Sequence, residues 1–138
     1  LDRVLFKSNK IGIKKSPVHG WGVFALEDIE IGDTIEECLY VPIETYNEGD
    51  TIIHYSFPYP RVFGQIKDSN KKIDKLIQVV VLGYGSLYNH SLNPNVDYIT
   101  NTELDIFEFI SFKKIKKGEE LFIKYDNNPV FIKKEKIV

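Results

Sequence analysis

Eight segments of four to ten residues are rich in β-branched and aromatic side chains and bounded by Gly, Pro, Asn or Asp. They are Arg3–Phe6, Lys10–Lys14, Gly22–Leu26, Thr34–Ile43, Leu76–Tyr84, Val96–Thr100, Leu104–Phe112 and Glu120–Tyr125. Such residues suit a pleated, half-buried surface and such boundaries supply turns, so a mainly β domain is expected. Residues 47–75 are the least regular part. Pro58 and Pro60 would break a helix there, while Ile73, Leu76 and Ile77 allow one short helical turn. This is the natural place for a variable, substrate-facing insertion.

The 138 residues suffice for a single domain with its own core. No apolar run approaches the roughly 18 residues of a membrane-crossing helix, and no membrane partner is expected. Cys38 has no second cysteine to bridge, and His19, His54 and His90 are scattered, so no metal site is expected. A reducing, intracellular setting fits the single thiol. The formal charge is −2 over the whole chain, but its first third is acidic and its last stretch rich in lysine. Glu27, Asp28, Glu30, Asp33, Glu36 and Glu37 could attract a basic peptide. The terminal lysines could touch nucleic acid, which the net negative charge disfavours as a partner.

Directly after the apolar run Leu76–Tyr84 comes Ser86-Leu87-Tyr88-Asn89-His90-Ser91-Leu92-Asn93-Pro94-Asn95, whose polar groups and proline-set turn mark a candidate site. Gly20-Trp21-Gly22-Val23-Phe24-Ala25 satisfies a dinucleotide-binding pattern in letters only. That fingerprint needs a helix at the glycines, and Trp-Gly-Val-Phe begins a strand. Asn89-His90-Ser91 is a formal glycosylation acceptor that follows a buried-type strand and is read as a chance match. An internal echo links Asp28-Ile29-Glu30-Ile31-Gly32-Asp33-Thr34-Ile35 to Lys114-Ile115-Lys116-Lys117-Gly118-Glu119-Glu120-Leu121. Each places a glycine turn before a new strand, so the echo is structural punctuation.

Three pieces acquire meaning together: His19-Gly20-Trp21-Gly22-Val23-Phe24-Ala25, Tyr88 to Asn95, and Gly118-Glu119-Glu120-Leu121-Phe122-Ile123-Lys124-Tyr125-Asp126. In this order and spacing the chain resembles the SET domain family of protein-lysine methyltransferases. The resemblance covers about residues 10–127 and looks most like the small stand-alone viral and bacterial members. It implies one SET domain over 1–138, built of several small β-sheets with a threaded, pseudoknotted C-terminal segment. It also implies S-adenosyl-L-methionine as cofactor and a lysine-containing protein or peptide, such as a basic tail, as substrate. Some small viral members pair, so a homodimer is a further expectation.

The resemblance also implies roles. Tyr125 would be catalytic and lie beside the transferred methyl, orienting the amine. Asn89 and His90 would hold the cofactor, the Asn side chain at its amino acid end and the backbone of the pair at the adenine. Gly20 and Gly22 would let the chain pass close to the cofactor, and Trp21 would pack against it or fill the core. Phe131, in a lid over 127–138, would stack on the adenine or close the channel. Tyr55 and Tyr98 would line the lysine channel, with the Tyr98 hydroxyl favouring monomethylation. The chain departs from the family where Ser86-Leu87-Tyr88 replaces an Arg-Phe-like pair, removing a basic anchor, and where Lys124 and Asp126 flank Tyr125. The alternative is a catalytically degenerate module that binds a basic peptide through its acidic first third.

Overall fold

Strand pairing draws distant parts of the chain into three small sheets around one apolar cluster. The computed structural model describes residues 3–47, 49–62 and 73–125. In chain order the strands are β1 (Ile11–Lys15), β2 (Trp21–Ala25), β3 (Thr34–Cys38), β4 (Tyr40–Pro42), β5 (Ser56–Val62), β6 (Ile73–Val81), β7 (Asn89–His90), β8 (Val96–Asn101), β9 (Ile106–Ser111) and β10 (Glu120–Ile123). Short 3-10 turns occupy Thr51–Tyr55 and Gly85–Leu87. The sheets run β1-β2-β10-β7, β3-β9-β8 and β4-β6-β5. No helix among the described residues is long and apolar enough to cross a membrane.

The mainly β expectation holds, with local corrections. Arg3–Phe6 is not a strand; its end is tied to β3 by the Glu37 amide donating to the Phe6 carbonyl and by a bridge between Lys7 and Glu36. The expected strand Thr34–Ile43 is two, because the chain changes sheets at Leu39: β3 pairs with β9 and β4 with β6. The helical turn expected at Ile73–Ile77 is instead the start of β6, and the turn of helix lies at Thr51–Tyr55.

The irregular insertion contains the missed strand β5, despite its prolines. β5 is an edge strand, and Pro58 lies opposite Gln78 of β6. The Ile43 amide donates to the Gln78 carbonyl, so the Gln78 backbone faces β4 and Pro58 faces the free edge. A proline there removes no ladder hydrogen bond. Pro60, two residues on, shares that side.

The aromatic part of the core is built around Phe107, fully buried on β9. Its ring centroid lies 5.6 Å from those of Phe57 and Tyr59, 6.0 Å from Tyr40 and 6.1 Å from Tyr98. The two echoed segments also meet. Ile29 and Ile115 exchange both backbone hydrogen bonds, at 2.7 and 2.9 Å, and Asp28 Oδ1 accepts from the Lys117 amide at 2.8 Å. Gly32 and Gly118 take φ of 87° and 93°, the left-handed turn that glycine adopts without a side-chain clash. The two segments therefore meet at Ile29 and Ile115, ahead of the turns that lead into β3 and β10.

Truncating Phe107→Ala removes the ring shared by all three aromatic neighbours on the β4-β6-β5 sheet. It is expected to cost about 3–5 kcal/mol in chemical denaturation.

Candidate functional site

β10 lies between β2 and β7, antiparallel to the first and parallel to the second. The three quoted sequence pieces therefore become neighbouring strands of one sheet. Register places Leu121 opposite Val23, Phe122 opposite Asn89 and Ile123 opposite His90. Asn95 clips the same strand from the side. Its amide donates to the Glu120 carbonyl at 3.0 Å and its Oδ1 accepts from the Phe122 amide at 2.8 Å.

At the centre lies a carboxylate. Glu120 is 8% exposed, and its two oxygens accept from Ser16 Oγ and from Asn89 Nδ2, each at 2.8 Å. A buried charge needs such partners, because leaving water without them is costly. Asn89 Nδ2 also points to the carbonyls of His19 at 3.0 Å and Trp21 at 3.4 Å. Three acceptors around one nitrogen fix the orientation of the amide. Its Oδ1 is thereby turned the other way, with no hydrogen bond to a described residue.

Gly22 is explained by this carboxylate. A Cβ there would lie 2.3 Å from Glu120 Oε2 and 3.1 Å from Ser16 Cβ, so a side chain would displace the acid. Gly20 has φ of 49° in the same loop. Trp21, between them, is 49% exposed with Lys15 Nζ 4.9 Å from its ring centroid, which excludes a core-filling role and leaves the indole open to a ligand.

His90 meets Tyr125 through its side chain. Its Nδ1 accepts the Tyr125 amide at 2.9 Å, so that nitrogen is unprotonated, and the two rings lie 4.9 Å apart. Tyr125 is half-buried, and its hydroxyl donates to the Tyr88 carbonyl at 3.4 Å. Asn89, His90 and Tyr125 are therefore brought together. Tyr55 joins the loop side, its ring stacked on His19 at 6.5 Å. Tyr98 packs edge-on to Phe57 at 5.0 Å and lies 6.2 Å from Phe109, which stacks on Tyr88 at 4.6 Å. Phe131 and the 127–138 lid lie outside the described residues.

Residues 20–126 match the SET domain family. The chain belongs to that family. It is 27% identical over 116 residues to a Schizosaccharomyces pombe histone-lysine N-methyltransferase described as H3 lysine-37 specific, which spans 84% of this chain and 73% of that protein. The crystal structure of a candidate histone methyltransferase from Plasmodium falciparum is similar with a TM-score of 0.62 at 28% identity, over 88% of this chain and 96% of that one.

Within this SET domain, sequence reasoning overlooked Ser16, Glu120, Glu36 and Tyr88. An acidic residue opening the otherwise apolar strand Glu120–Ile123 was the available signal for the second of these. The acidic first third is also partly consumed within the fold. Glu36 is buried, Asp28 caps the Lys117 amide, and Glu37 pairs with Arg3 at 2.7 Å. The Phe6 amide and then Arg3 hold the Glu37 carboxyl below its ordinary range.

Gly22→Ala should destabilise the protein by about 1–3 kcal/mol through overpacking. In a Glu120→Ala background, where the carboxylate is gone, the same glycine change should cost measurably less, as read in a double-mutant cycle of denaturation midpoints.

Proposed function

We propose that this protein is an S-adenosyl-L-methionine-dependent protein-lysine N-methyltransferase whose site is the corner made by Gly20–Gly22, Asn89, His90 and Tyr125. The observation that carries the reading is the amide of Asn89. Its nitrogen is committed to Glu120 and two carbonyls, so its oxygen is left to accept from a ligand. The ammonium of an amino acid is a matching donor. The half-exposed Trp21 ring and the tight Gly20 loop suit a ligand that lies along the strand entry.

S-adenosyl-L-methionine supplies an electrophilic methyl group on a sulfonium. The chain's own task is positioning. Lysine has a reference pKa of about 10.4 and must present a neutral amine, which an apolar, aromatic channel favours by disfavouring the cation. Tyr125 is suited to orient that amine. Its hydroxyl is placed to donate to the Tyr88 carbonyl at 3.4 Å, which leaves oxygen lone pairs to face the amine, and His90 holds its backbone. In this reading Tyr55 and Tyr98 line the channel, and Phe131 closes it. The position of β10 between β2 and β7 supports the threaded arrangement of the family. A lysine-bearing basic segment of an intracellular protein is the substrate class that the histone-methylating relatives suggest.

Calorimetry should detect S-adenosyl-L-methionine binding that Asn89→Ala abolishes or weakens by more than about tenfold, as expected when a hydrogen bond to a charged group is lost. Tyr125→Phe should lower kcat for methylation of histone or lysine-rich peptides by about 100-fold while binding persists. Absence of both cofactor binding and methyl transfer in the unaltered protein would sink the reading. Tyr98→Phe should shift the product, read by mass spectrometry, from monomethyl-lysine towards more methylated forms. Trimethyl-lysine as the main early product of the unaltered protein would overturn that role.

A further inference from the structure

A second carboxylate is buried against Tyr88. Glu36 is 1% exposed on β3. Its Oε1 accepts the Tyr88 hydroxyl at 2.7 Å, and its Oε2 lies 3.4 Å from the Tyr84 amide. A charge buried this deeply, with neutral donors alone, would be poorly compensated. Among the described residues the cation that reaches it is Lys7, whose Nζ stands 3.6 Å from Oε2. The same ammonium lies 3.5 Å from the centroid of the Tyr84 ring.

Lys7 does not arrive by chance. The arm before β1 is laid along β3 by three links: the Glu37 amide to the Phe6 carbonyl, the Ser8 amide to the Ile35 carbonyl, and Arg3 to Glu37. Tyr88 in turn is held by its hydroxyl and by its ring face. Its hydroxyl is on Glu36, its ring is stacked on Phe109 at 4.6 Å and 17°, and it is 1% exposed. Burial first, and then the Glu36 charge, push its phenol well above its ordinary pKa, so it stays a donor. The carbonyl of this same residue receives the Tyr125 hydroxyl, and the next residue is Asn89.

We propose that Lys7, Glu36 and Tyr88 form a clasp that positions the Tyr88 carbonyl against the Tyr125 hydroxyl, making the N-terminal arm a positioning element for methyl transfer. The inference rests on the catalytic reading of Tyr125. Lys7 lies outside residues 20–126, the part that matches the family. It supplies, from a distant part of the chain, a positive charge close to where Ser86-Leu87-Tyr88 replaces an Arg-Phe-like pair. The mechanism is directional. A hydroxyl has one proton, and where that proton is anchored decides where its lone pairs face. Removing the charge from Lys7 leaves the Glu36 carboxylate with neutral donors, and the Tyr84–Tyr88 segment must move to hydrate it. The carbonyl then shifts, and a small misplacement of a positioning group suffices to slow a reaction that depends on alignment.

The decisive variants are Lys7→Met, which keeps the stem over Tyr84 and removes the charge, Lys7→Arg, which restores it, and Tyr88→Phe, alone and combined with Lys7→Met. The half-exposed Lys7 can be changed without opening the core. Lys7→Met should lower kcat by about tenfold with cofactor affinity and peptide KM unchanged, and Lys7→Arg should recover the rate. The Lys7→Met and Tyr88→Phe double variant should be no slower than Tyr88→Phe alone, because both break one chain of contacts. Amide hydrogen exchange, which needs no activity, should quicken at residues 84–91 and 120–125 in Lys7→Met. An unchanged kcat in Lys7→Met, losses that multiply in the double variant, or failure of arginine to rescue would overturn the clasp. If the unaltered protein transfers no methyl group, the catalytic reading fails, and unchanged exchange in Lys7→Met then removes the clasp as well.

Discussion

Glu120 takes a negative charge out of water, and the site's geometry follows from how that charge is satisfied. Its two oxygens accept from Ser16, which lies just after β1, and Asn89 of β7. The space it fills is the space a side chain at residue 22 would take. Three strands are thereby held at one point, and Asn89 is left with one orientation of its amide. A neutral isostere in place of the acid would fill the same volume but weaken the strongest of the three acceptors, the others being the His19 and Trp21 carbonyls. The hydrogen bond thus specifies as well as stabilises.

Two buried carboxylates flank the Tyr88–Asn89 pair, Glu36 on the tyrosine and Glu120 on the asparagine. They belong to different sheets, β3 in one and β10 in another. The short stretch between them is consequently referenced to two separate parts of the fold. Such a double reference restricts backbone drift where Tyr88 presents its carbonyl and Asn89 its amide oxygen. The aromatic stack of Tyr88 on Phe109 adds a third restraint, using shape rather than charge.

Much of this was legible in the residues, for identifiable reasons. β-branched and aromatic composition together with turn residues placed β1, β2, β8 and β9 within a residue or two, because both signals are local. The motif pieces located Asn89, His90 and Tyr125, and the sheet brings them together. β5 was missed because a proline is tolerated or forbidden according to which way its missing N–H would point, and that depends on the neighbouring strand. The break of Thr34–Ile43 into β3 and β4 was hidden for a similar reason, since changing sheets at Leu39 leaves no change of composition. Glu120 and Glu36 could be seen as acids in strands, but their partners Ser16, Asn89, Lys7 and Tyr88 are separated from them by 104, 31, 29 and 52 positions.

The pairing of the two echoed turns carries a kinetic meaning. Ile29 meets Ile115 across most of the chain, and β10 pairs with β2 from near the chain's start, so closure of these loops opposes early assembly entropically. During synthesis from the N-terminus, the sheets β3-β9-β8 and β4-β6-β5 can form while the gap between β2 and β7 is still open. Until Glu120 arrives, Asn89 has no carboxylate to turn its amide and Gly22 no neighbour to justify its missing side chain. The corner that would hold a cofactor is therefore created by the last described strand to be made, and a nascent chain of this protein carries its scaffold before it carries its site.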